Sequence, residues 1–147
     1  MDNHTPEQRR YNMRRIKSKN TGIELMLRQE LYKRGYRYRV NYKLLPGKPD
    51  IAFTKYKVAV FCDSEFFHGY DWNNLREKIS AGNNPSYWIE KISTNINHDK
   101  EVNAQLKDLG WTVVRFWGKE ISNDVGKCAD AVGYAILEKI FENDVIK

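Results

Sequence analysis

The segment Leu45–His68 reads LPGKPDIAF, then TKYK, then VAVFCDSEFFH. Its two short apolar runs, separated by TKYK, predict two strands connected by a tight turn. Around the strand ends lie three carboxylates and an imidazole, namely Asp50, Asp63, Glu65 and His68. Carboxylates on adjacent strand ends present the hard oxygen ligands that Mg²⁺ prefers, and an imidazole accepts a proton near neutral pH. The segment therefore predicts a cradle for a divalent metal.

The two strands differ in how they hold the candidate groups. The first, Ile51–Phe53, begins just after the rigid Pro49 and Asp50, and the second, Val58–Cys62, is apolar on both faces and is expected to be central. A backbone carbonyl near Cys62 offers a second oxygen to a metal. An aspartate after proline is also a common turn residue, and a single histidine is more often structural than catalytic. The residues alone therefore leave open a metal-dependent nuclease site and an ordinary turn.

Length and composition indicate one globular domain over residues 1–147. The chain is 41% hydrophobic and 30% charged, as is typical of soluble proteins, and it lacks an apolar run of about 18 residues or a secretory leader. We therefore expect a cytoplasmic protein without a membrane contact. The two cysteines, Cys62 and Cys128, are too few for a disulfide framework and are expected to be reduced, buried thiols.

Charge is unevenly distributed along the chain. Residues 1–48 contain 13 Lys and Arg against 4 Asp and Glu, a net charge of +9, whereas the remaining 99 residues carry a net charge of −3. A basic front beside a mildly acidic remainder favours a polyanionic partner, of which nucleic acid is the commonest soluble example. A solvated basic surface without a partner explains the same charge distribution.

The first 19 residues or so form a candidate basic arm. Thr5 is a candidate helix cap with Pro6 in the first helical position, and basic residues alternate with Tyr11, Met13 and Ile16. Such an arm can lie along a DNA groove and use its apolar side chains as wedges. A basic helix that docks on its own domain is the alternative.

The rest of the chain predicts an α/β sandwich with a mixed sheet of about four strands flanked by helices. A helix is expected from about Asn20 to Arg34, with Glu24 in its first turn, where a glutamate also simply suits the helix dipole. The remaining predictions are a strand over 36–43, the two strands described above, a long exposed loop over 69–86, a helix over 88–109, a buried strand over 111–117 and a closing helix over 125–140.

Motifs spread over about residues 9–120 resemble the very-short-patch repair (Vsr-type) DNA mismatch endonucleases. The matching positions are Asn12-Met13-Arg14, Ile16, Thr21, Ile23-Glu24, Leu45-Pro46-Gly47, Pro49-Asp50, Phe61, Phe66-Phe67-His68, Trp88, Lys91, Asn95, Asp99, Leu109-Gly110-Trp111, Val113 and Trp117. The resemblance implies a restriction-endonuclease-like fold. It also implies a Mg²⁺-dependent endonuclease that nicks one strand of double-stranded DNA 5′ to the thymine of a T:G mismatch left by deamination of 5-methylcytosine.

The resemblance further implies roles for individual residues. Asp50 matches the metal-binding aspartate, the Cys62 backbone carbonyl matches the second protein ligand, and His68 matches the histidine that activates water. Glu24 matches the acidic residue that organises the metal-bound waters. Asp63, at a position where family members vary, is a further catalytic candidate and a candidate second metal ligand.

The expected DNA contacts fall into two groups. The aromatic residues Phe66, Phe67 and Trp88 match the wedge that enters the base stack beside the mismatch, where opening the stack costs least. The expected backbone and groove contacts come from the arm and from one later lysine, namely Met13, Arg14, Arg15, Lys17, Lys19 and Lys91.

The chain departs from the family where a structural zinc is usual. The positions that carry cysteine or histidine in other members are here Glu65, Tyr70, Trp72 and Lys119, which cannot form a thiolate site. We therefore expect no zinc, and we expect Tyr70 and Trp72 to hold the following loop by packing. Phe67 stands where tryptophan is usual.

Two other functions remain open at this stage. The first is a sequence-specific or relaxed nuclease of the restriction or mobile-element type that ignores mismatches. The second is a non-catalytic DNA-binding module with the same fold. We expect the nicking enzyme to act as a monomer on double-stranded DNA.

Overall fold

The structure is a computed structural model that describes residues 22–146 of the chain. Its helices are α1 (Gly22–Lys33), α2 (Trp72–Ser80), α3 (Pro85–Asp108), α4 (Gly118–Asn123) and α5 (Val125–Ile146). Its strands are β1 (Arg39–Val40), β2 (Ile51–Phe53), β3 (Val58–Asp63) and β4 (Thr112–Trp117). No helix in this part of the chain has the length and apolar character that crossing a membrane requires.

The four strands form one mixed sheet in the order β1-β2-β3-β4. Strand β2 is antiparallel to both β1 and β3, whereas β3 and β4 are parallel and are joined through α2 and α3. A parallel pair needs such a long crossover, because its strands start at the same edge of the sheet. The predicted α/β sandwich with a four-stranded mixed sheet is confirmed and is consistent with a restriction-endonuclease-like fold.

Strand β3 is the centre of the fold because both of its faces are covered. Val58 and Val60 pack into the larger apolar cluster, which includes Leu27 of α1 and Val132 of α5. Ala59 and Phe61 face the smaller cluster, which contains Val102 and Leu106 of α3. Each fully buried aliphatic side chain of this kind contributes about 1.5–3 kcal/mol. The next two residues continue the alternation, so that Cys62 lies on the first face and Asp63 on the second.

Two strand predictions need correction. The strand expected over 36–43 is confined to Arg39–Val40, because Asn41 has a left-handed backbone (φ 46°) that turns the chain. The expected aromatic face nevertheless exists, since Tyr36 and Tyr38 both pack edge-on against Phe53. The strand over 111–117 is only partly buried, because β4 lies at the edge of the sheet.

The prediction of a long loop over 69–86 is wrong. Half of this segment is helix α2, and α3 begins already at Pro85. Trp72, Leu75 and Ile79 do recur at helical spacing, but three apolar residues in a nine-residue helix are a weak signal beside the turn residues of the segment 82–85. The short helix α4, which follows β4, was not predicted either. The expected basic arm, with Met13, Arg14, Arg15, Lys17 and Lys19, lies outside the described residues.

The turn that leads into β2 fits closely against α3 at Gly47. A Cβ atom built on Gly47 would lie 2.5 Å from Cγ1 and 3.1 Å from Cγ2 of Val102, which is a buried, β-branched and therefore stiff residue. Gly47 also has a left-handed backbone, with φ 75°. The turn that presents Asp50 is thus held against the same helix that lies beside His68.

We expect Gly47→Ala to lower the free energy of unfolding by roughly 2–4 kcal/mol, because it adds overpacking to backbone strain. Gly110→Ala is the matched control, since Gly110 has a similar φ of 84° but a Cβ atom added there would meet nothing within 4 Å. It should lose only about 1–2 kcal/mol. Urea denaturation of both variants measures the difference, and equal losses would show that the contact with Val102 does not matter.

Candidate active site

Asp50 is fixed at the entrance to β2 by its neighbours on both sides. Pro49 before it is fully buried, and the Asp50 Oδ2 atom accepts a hydrogen bond of 2.7 Å from the backbone N–H of Cys62. This bond joins the turn to the end of the central strand β3. The Asp50 carboxylate is therefore held beside the Cys62 backbone, where the sequence predicted both metal contacts.

Glu24 reaches the same place from the first turn of α1. It is 6% exposed, and it accepts a 3.1 Å hydrogen bond from Arg28 one helical turn later. Burial raises the pKa of Asp50 to about 7; the Cys62 hydrogen bond opposes this shift, and the charges of Glu24 and Asp63 together with a hydrogen bond to Glu24 add to it. The predicted convergence of Glu24 and Asp50 is thus present.

His68 is oriented by a carboxylate on α3. Its Nδ1 atom lies 2.6 Å from Oδ2 of Asp99, and its side chain is 30% exposed. Burial lowers the pKa of His68, but the hydrogen bond to Asp99 and the charges of Asp63 and Asp99 outweigh burial and raise it. When Nδ1 carries the proton shared with Asp99, Nε2 on the other side of the ring is free to accept one.

Asp63 lies on the same side of the sheet as His68. Both of its oxygens accept hydrogen bonds from Nη1 of Arg115, at 3.1 and 3.2 Å, and its Oδ1 is 3.8 Å from Nδ1 of His68. Burial raises the pKa of Asp63, although the charges of His68 and Arg115 oppose that shift. The structure thus pairs Asp63 with an arginine, and a metal-binding role for it stays a prediction that this pairing does not favour.

The candidate site consequently has two halves, one on each side of the end of β3. Glu24 and Asp50 form the half on the α1 side, whereas Asp63, His68 and Asp99 form the half on the α3 side. Among residues 22–146 no group of three or more His, Cys, Asp or Glu is arranged to hold a metal ion. The donors on the α1 side, two carboxyl groups and the Cys62 carbonyl, still fit Mg²⁺, which keeps several waters and needs few protein ligands.

Cys62 contributes through its backbone and not through its thiol. The residue is half-buried and free of any disulfide. Burial raises the pKa of the thiol well above its usual range, and the charges of Asp50 and Glu24 raise it further. The side chain therefore stays neutral. Both cysteines are free thiols, as the sequence predicted, but of the two only Cys128 is fully buried as expected.

The predicted wedge residues form one aromatic cluster at the surface. Phe66, which is 39% exposed, packs edge-on against Phe67 and against Trp88, with ring centroids 5.2 and 5.4 Å apart. Tyr87 extends the cluster by an edge contact with Trp88 and is 52% exposed. Lys91 is exposed one helical turn after Trp88. The structure therefore brings these predicted DNA contacts together and adds Tyr87 to them.

Residues at the positions of the family's zinc ligands contact one another and the neighbouring backbone. Oε1 of Glu65 accepts a 2.6 Å hydrogen bond from the backbone N–H of Lys119, and Tyr70 packs edge-on against Trp117. The Nζ atom of Lys119 lies 5.4 Å from the centre of the Tyr70 ring. A carboxylate bound to backbone, an aromatic ring and an ammonium group do not fit a thiolate-type zinc site. The absence of zinc nevertheless stays a prediction.

Two residues of the site were not predicted as such. Asp99 follows Lys91 and Asn95 at intervals of four residues, so the sequence places all three on one side of a helix. From the same side, Asn95 donates a 2.9 Å hydrogen bond to the carbonyl of Phe67. Arg115 is the one charged residue in β4, which reads TVVRFW. A charged residue inside an apolar run indicates a buried partner, and this is the signal that could have identified Arg115 in the sequence.

Comparisons with known proteins find relatives whose sequences match this chain over most of its length. Residues 1–74 match a family described as DNA mismatch endonuclease Vsr. The chain is 45% identical to the Type II nicking enzyme V.NmeDIP of Neisseria meningitidis serogroup C, over 95% of this chain and 93% of that protein. It is 42% identical to the Type II nicking enzyme V.HpaIIP of Haemophilus parainfluenzae, over 95% and 98%. It is 33% identical to the DNA mismatch endonuclease Vsr of Escherichia coli K12, over 79% and 72%.

The raised pKa of Asp50 predicts how stability depends on pH without divalent metal. Because the native state keeps this proton up to about pH 7 while the unfolded chain loses it near pH 4, native protein binds more protons between these values. The contribution of Asp50 to stability is therefore full below about pH 4 and is lost as pH rises through about 7. We expect Asp50→Asn to gain roughly 1–3 kcal/mol over the natural chain between pH 4 and pH 8.

Urea denaturation of both proteins at several pH values, in EDTA, measures this gain. The difference between their unfolding free energies should grow from pH 4 to pH 7 and then level off. Parallel profiles for the two proteins would contradict the burial of Asp50 beside Glu24.

Proposed function

The chain belongs to the Vsr family of DNA mismatch endonucleases, and on this premise we propose that it is a Mg²⁺-dependent enzyme that nicks one strand of duplex DNA at or near T:G mismatches. Its relatives carry names of endonucleases and nicking enzymes, so the reaction class is hydrolysis of a DNA phosphodiester. The dependence on Mg²⁺ and the preference for T:G mismatches are what we propose beyond this reaction class.

The proposed reaction rests on one observation, which is that two different sets of side chains lie on opposite sides of the end of β3. Asp50 and Glu24 on one side supply negative oxygen donors, and on the other side the imidazole of His68 is oriented by Asp99. Phosphodiester hydrolysis needs both kinds of group, since the phosphate accumulates charge and the attacking water must lose a proton. Cys62 and Asp63, which are neighbours in sequence, connect the two sides.

In this proposal His68 accepts the proton of the attacking water at Nε2. Its Nδ1 hydrogen bond to Asp99 fixes the ring and stabilises the imidazolium that forms. Because the pKa of His68 is raised, the ring is a stronger base than an ordinary histidine. Asp99 thus acts through His68 and holds the proton at Nδ1 throughout.

Asp50 and the Cys62 carbonyl would hold the Mg²⁺ ion, and Glu24 would order the water molecules bound to it. When bound, the ion neutralises charge on the scissile phosphate and activates water. The hydrogen bond from the Cys62 N–H fixes Asp50 Oδ2, and Arg28 fixes Glu24 Oε2, so that neither carboxylate has to be ordered on binding. The raised pKa of Asp50 also supports a site in which a cation is the missing positive charge.

The aromatic cluster supports the proposed preference for a mispair. Phe66 and Tyr87 are exposed aromatic rings backed by Phe67 and Trp88, which keep them from collapsing onto the surface. Inserting a ring between base pairs costs a few kcal/mol for unstacking. A mismatch lowers this cost, so such a wedge favours mispaired sites.

A second function has support from the relatives. The two relatives with 45% and 42% identity are named type II nicking enzymes, and these names do not mention a mismatch. Sequence-specific nicking without a mismatch requirement is therefore the alternative. The two functions share the catalytic groups and differ in the DNA that is cut.

Nicking of matched duplexes separates these functions. We expect Mg²⁺-dependent cleavage of one strand of a T:G duplex, no cleavage in EDTA, and at least about tenfold slower cleavage of the T:A and C:G duplexes of the same sequence. Denaturing gel electrophoresis of end-labelled strands measures the rates. The mismatch is placed in a pool of randomised flanking sequences, so that no recognition sequence has to be assumed. Equal rates on the three duplexes would favour the alternative function.

Two variants complete this assay. Asp50→Asn and His68→Gln should each lower the nicking rate by at least about 100-fold while the affinity for DNA stays within a few fold. Nicking at the natural rate by either variant would contradict the assignment of the site.

A further inference from the structure

Arg115 lies in the middle of the edge strand β4 with its side chain on the α3 face of the sheet. In the parallel register of β3 and β4 it is opposite Phe61, and its guanidinium carbon is 4.0 Å from the centre of the Phe61 ring. Its side chain is 19% exposed. A largely buried arginine in a strand is costly unless its donors are satisfied, so its partners indicate why it is there.

The partners of Arg115 all belong to the surroundings of His68. Nε donates a 2.7 Å hydrogen bond to Oδ1 of Asn103, which fixes the plane of the guanidinium against α3. Nη1 donates to both oxygens of Asp63 and lies 3.7 Å from Oδ1 of Asp99. One nitrogen of Arg115 therefore faces the two carboxylates that flank the histidine.

These two carboxylates are competitors for the same ring nitrogen. Nδ1 of His68 is 2.6 Å from Asp99 Oδ2 and 3.8 Å from Asp63 Oδ1. Because Arg115 occupies both oxygens of Asp63, that carboxylate is held back and Asp99 is the partner of His68. Without the guanidinium, Asp63 and Asp99 would repel each other, and a freed Asp63 could draw His68 away.

The structure leaves space for such a movement. A cavity of about 210 Å³ lies beside these groups and is lined by, among others, Asp63, His68, Asp99 and Arg115. Well-packed side chains resist reorientation, whereas side chains beside a cavity of this size can adopt a second rotamer. The single arrangement of His68 therefore depends on its polar contacts more than on packing.

We propose that Arg115 is a positioning residue of the active site: by holding Asp63, it leaves Asp99 as the partner of His68 and so keeps Nε2 in the orientation that accepts the proton. This inference rests on the proposed role of His68 in nicking. In this proposal Arg115 acts through Asp63 and Asp99 and needs no contact with the substrate or the reacting atoms. Its effect should appear in the rate of the chemical step and not in DNA affinity.

The test is a double-mutant cycle on the full-length protein with Arg115→Met, Asp63→Asn and the double variant. Single-turnover nicking at saturating enzyme should be about 10- to 100-fold slower in Arg115→Met, with DNA affinity unchanged. In the Asp63→Asn background the same substitution should cost less than about threefold, because the competing carboxylate is gone. An equal loss in both backgrounds would overturn the proposal.

Two further variants control for charge and for folding. Lys100→Met removes an exposed cation from the lining of the same cavity, and it should leave the single-turnover rate within about twofold. Arg115→Lys keeps the charge but cannot bind Asp63 and Asn103 together, so it should still be slower than the natural enzyme. If Arg115→Met does not fold, Arg115→Lys carries the test, and a natural rate in Arg115→Lys would contradict the proposal.

A spectroscopic measurement separates this inference from the proposed function. The chain contains three histidines, His4, His68 and His98, so the ring signals of His68 can be assigned in a ¹H–¹⁵N spectrum with His68→Gln. In protein without DNA, the Nδ1 signal should shift in Arg115→Met and return in the double variant. An unshifted signal would overturn the positioning role, whereas failure of the natural enzyme to nick any duplex would overturn the proposed function alone.

Discussion

The hydrogen bond from the Cys62 backbone N–H to Asp50 Oδ2 is the constraint on which the site depends. It fastens the turn before β2 to the last residues of β3, the strand that both apolar clusters enclose. Because neighbouring residues of a strand face opposite sides, the same strand end sends Asp63 toward α3. One rigid element therefore sets the position of both halves of the site.

This arrangement concentrates negative charge in a region withdrawn from water. Glu24, Asp50, Asp63 and Asp99 all lie around the end of β3, and burial raises the pKa of Asp50 and of Asp63. On the α3 side Arg115 and His68 offset the charge. On the α1 side Arg28 binds Glu24, whereas Asp50 is bound by the Cys62 N–H and by Glu24. Within residues 22–146 these two groups bring no positive charge to Asp50, which supports placing the proposed Mg²⁺ on the α1 side.

The features that depend on residues close together in the chain could be predicted from the sequence. Apolar runs with a turn between them predicted β2 and β3, and Pro49 and Asp50 predicted the fixed carboxylate. The helix α2 was not predicted because its apolar stripe of Trp72, Leu75 and Ile79 is short and lies beside the turn residues of the segment 82–85. The pairing of Asp63 with Arg115 could not be foreseen, because it depends on the parallel register of β3 and β4, which sets Arg115 opposite Phe61 and therefore diagonally next to Asp63 on the same face. Long-range register of this kind leaves no local pattern in a single sequence.

The two halves of the site have different proposed tasks, with Asp50 binding Mg²⁺ and Asp63 serving the histidine through Arg115. Calorimetric titration of Mg²⁺ into the natural protein, Asp50→Asn and Asp63→Asn distinguishes these tasks. We expect Asp50→Asn to weaken Mg²⁺ binding by more than about tenfold, whereas Asp63→Asn should change it by less than about threefold. Equal losses in the two variants, or full Mg²⁺ binding by Asp50→Asn, would contradict this division of tasks.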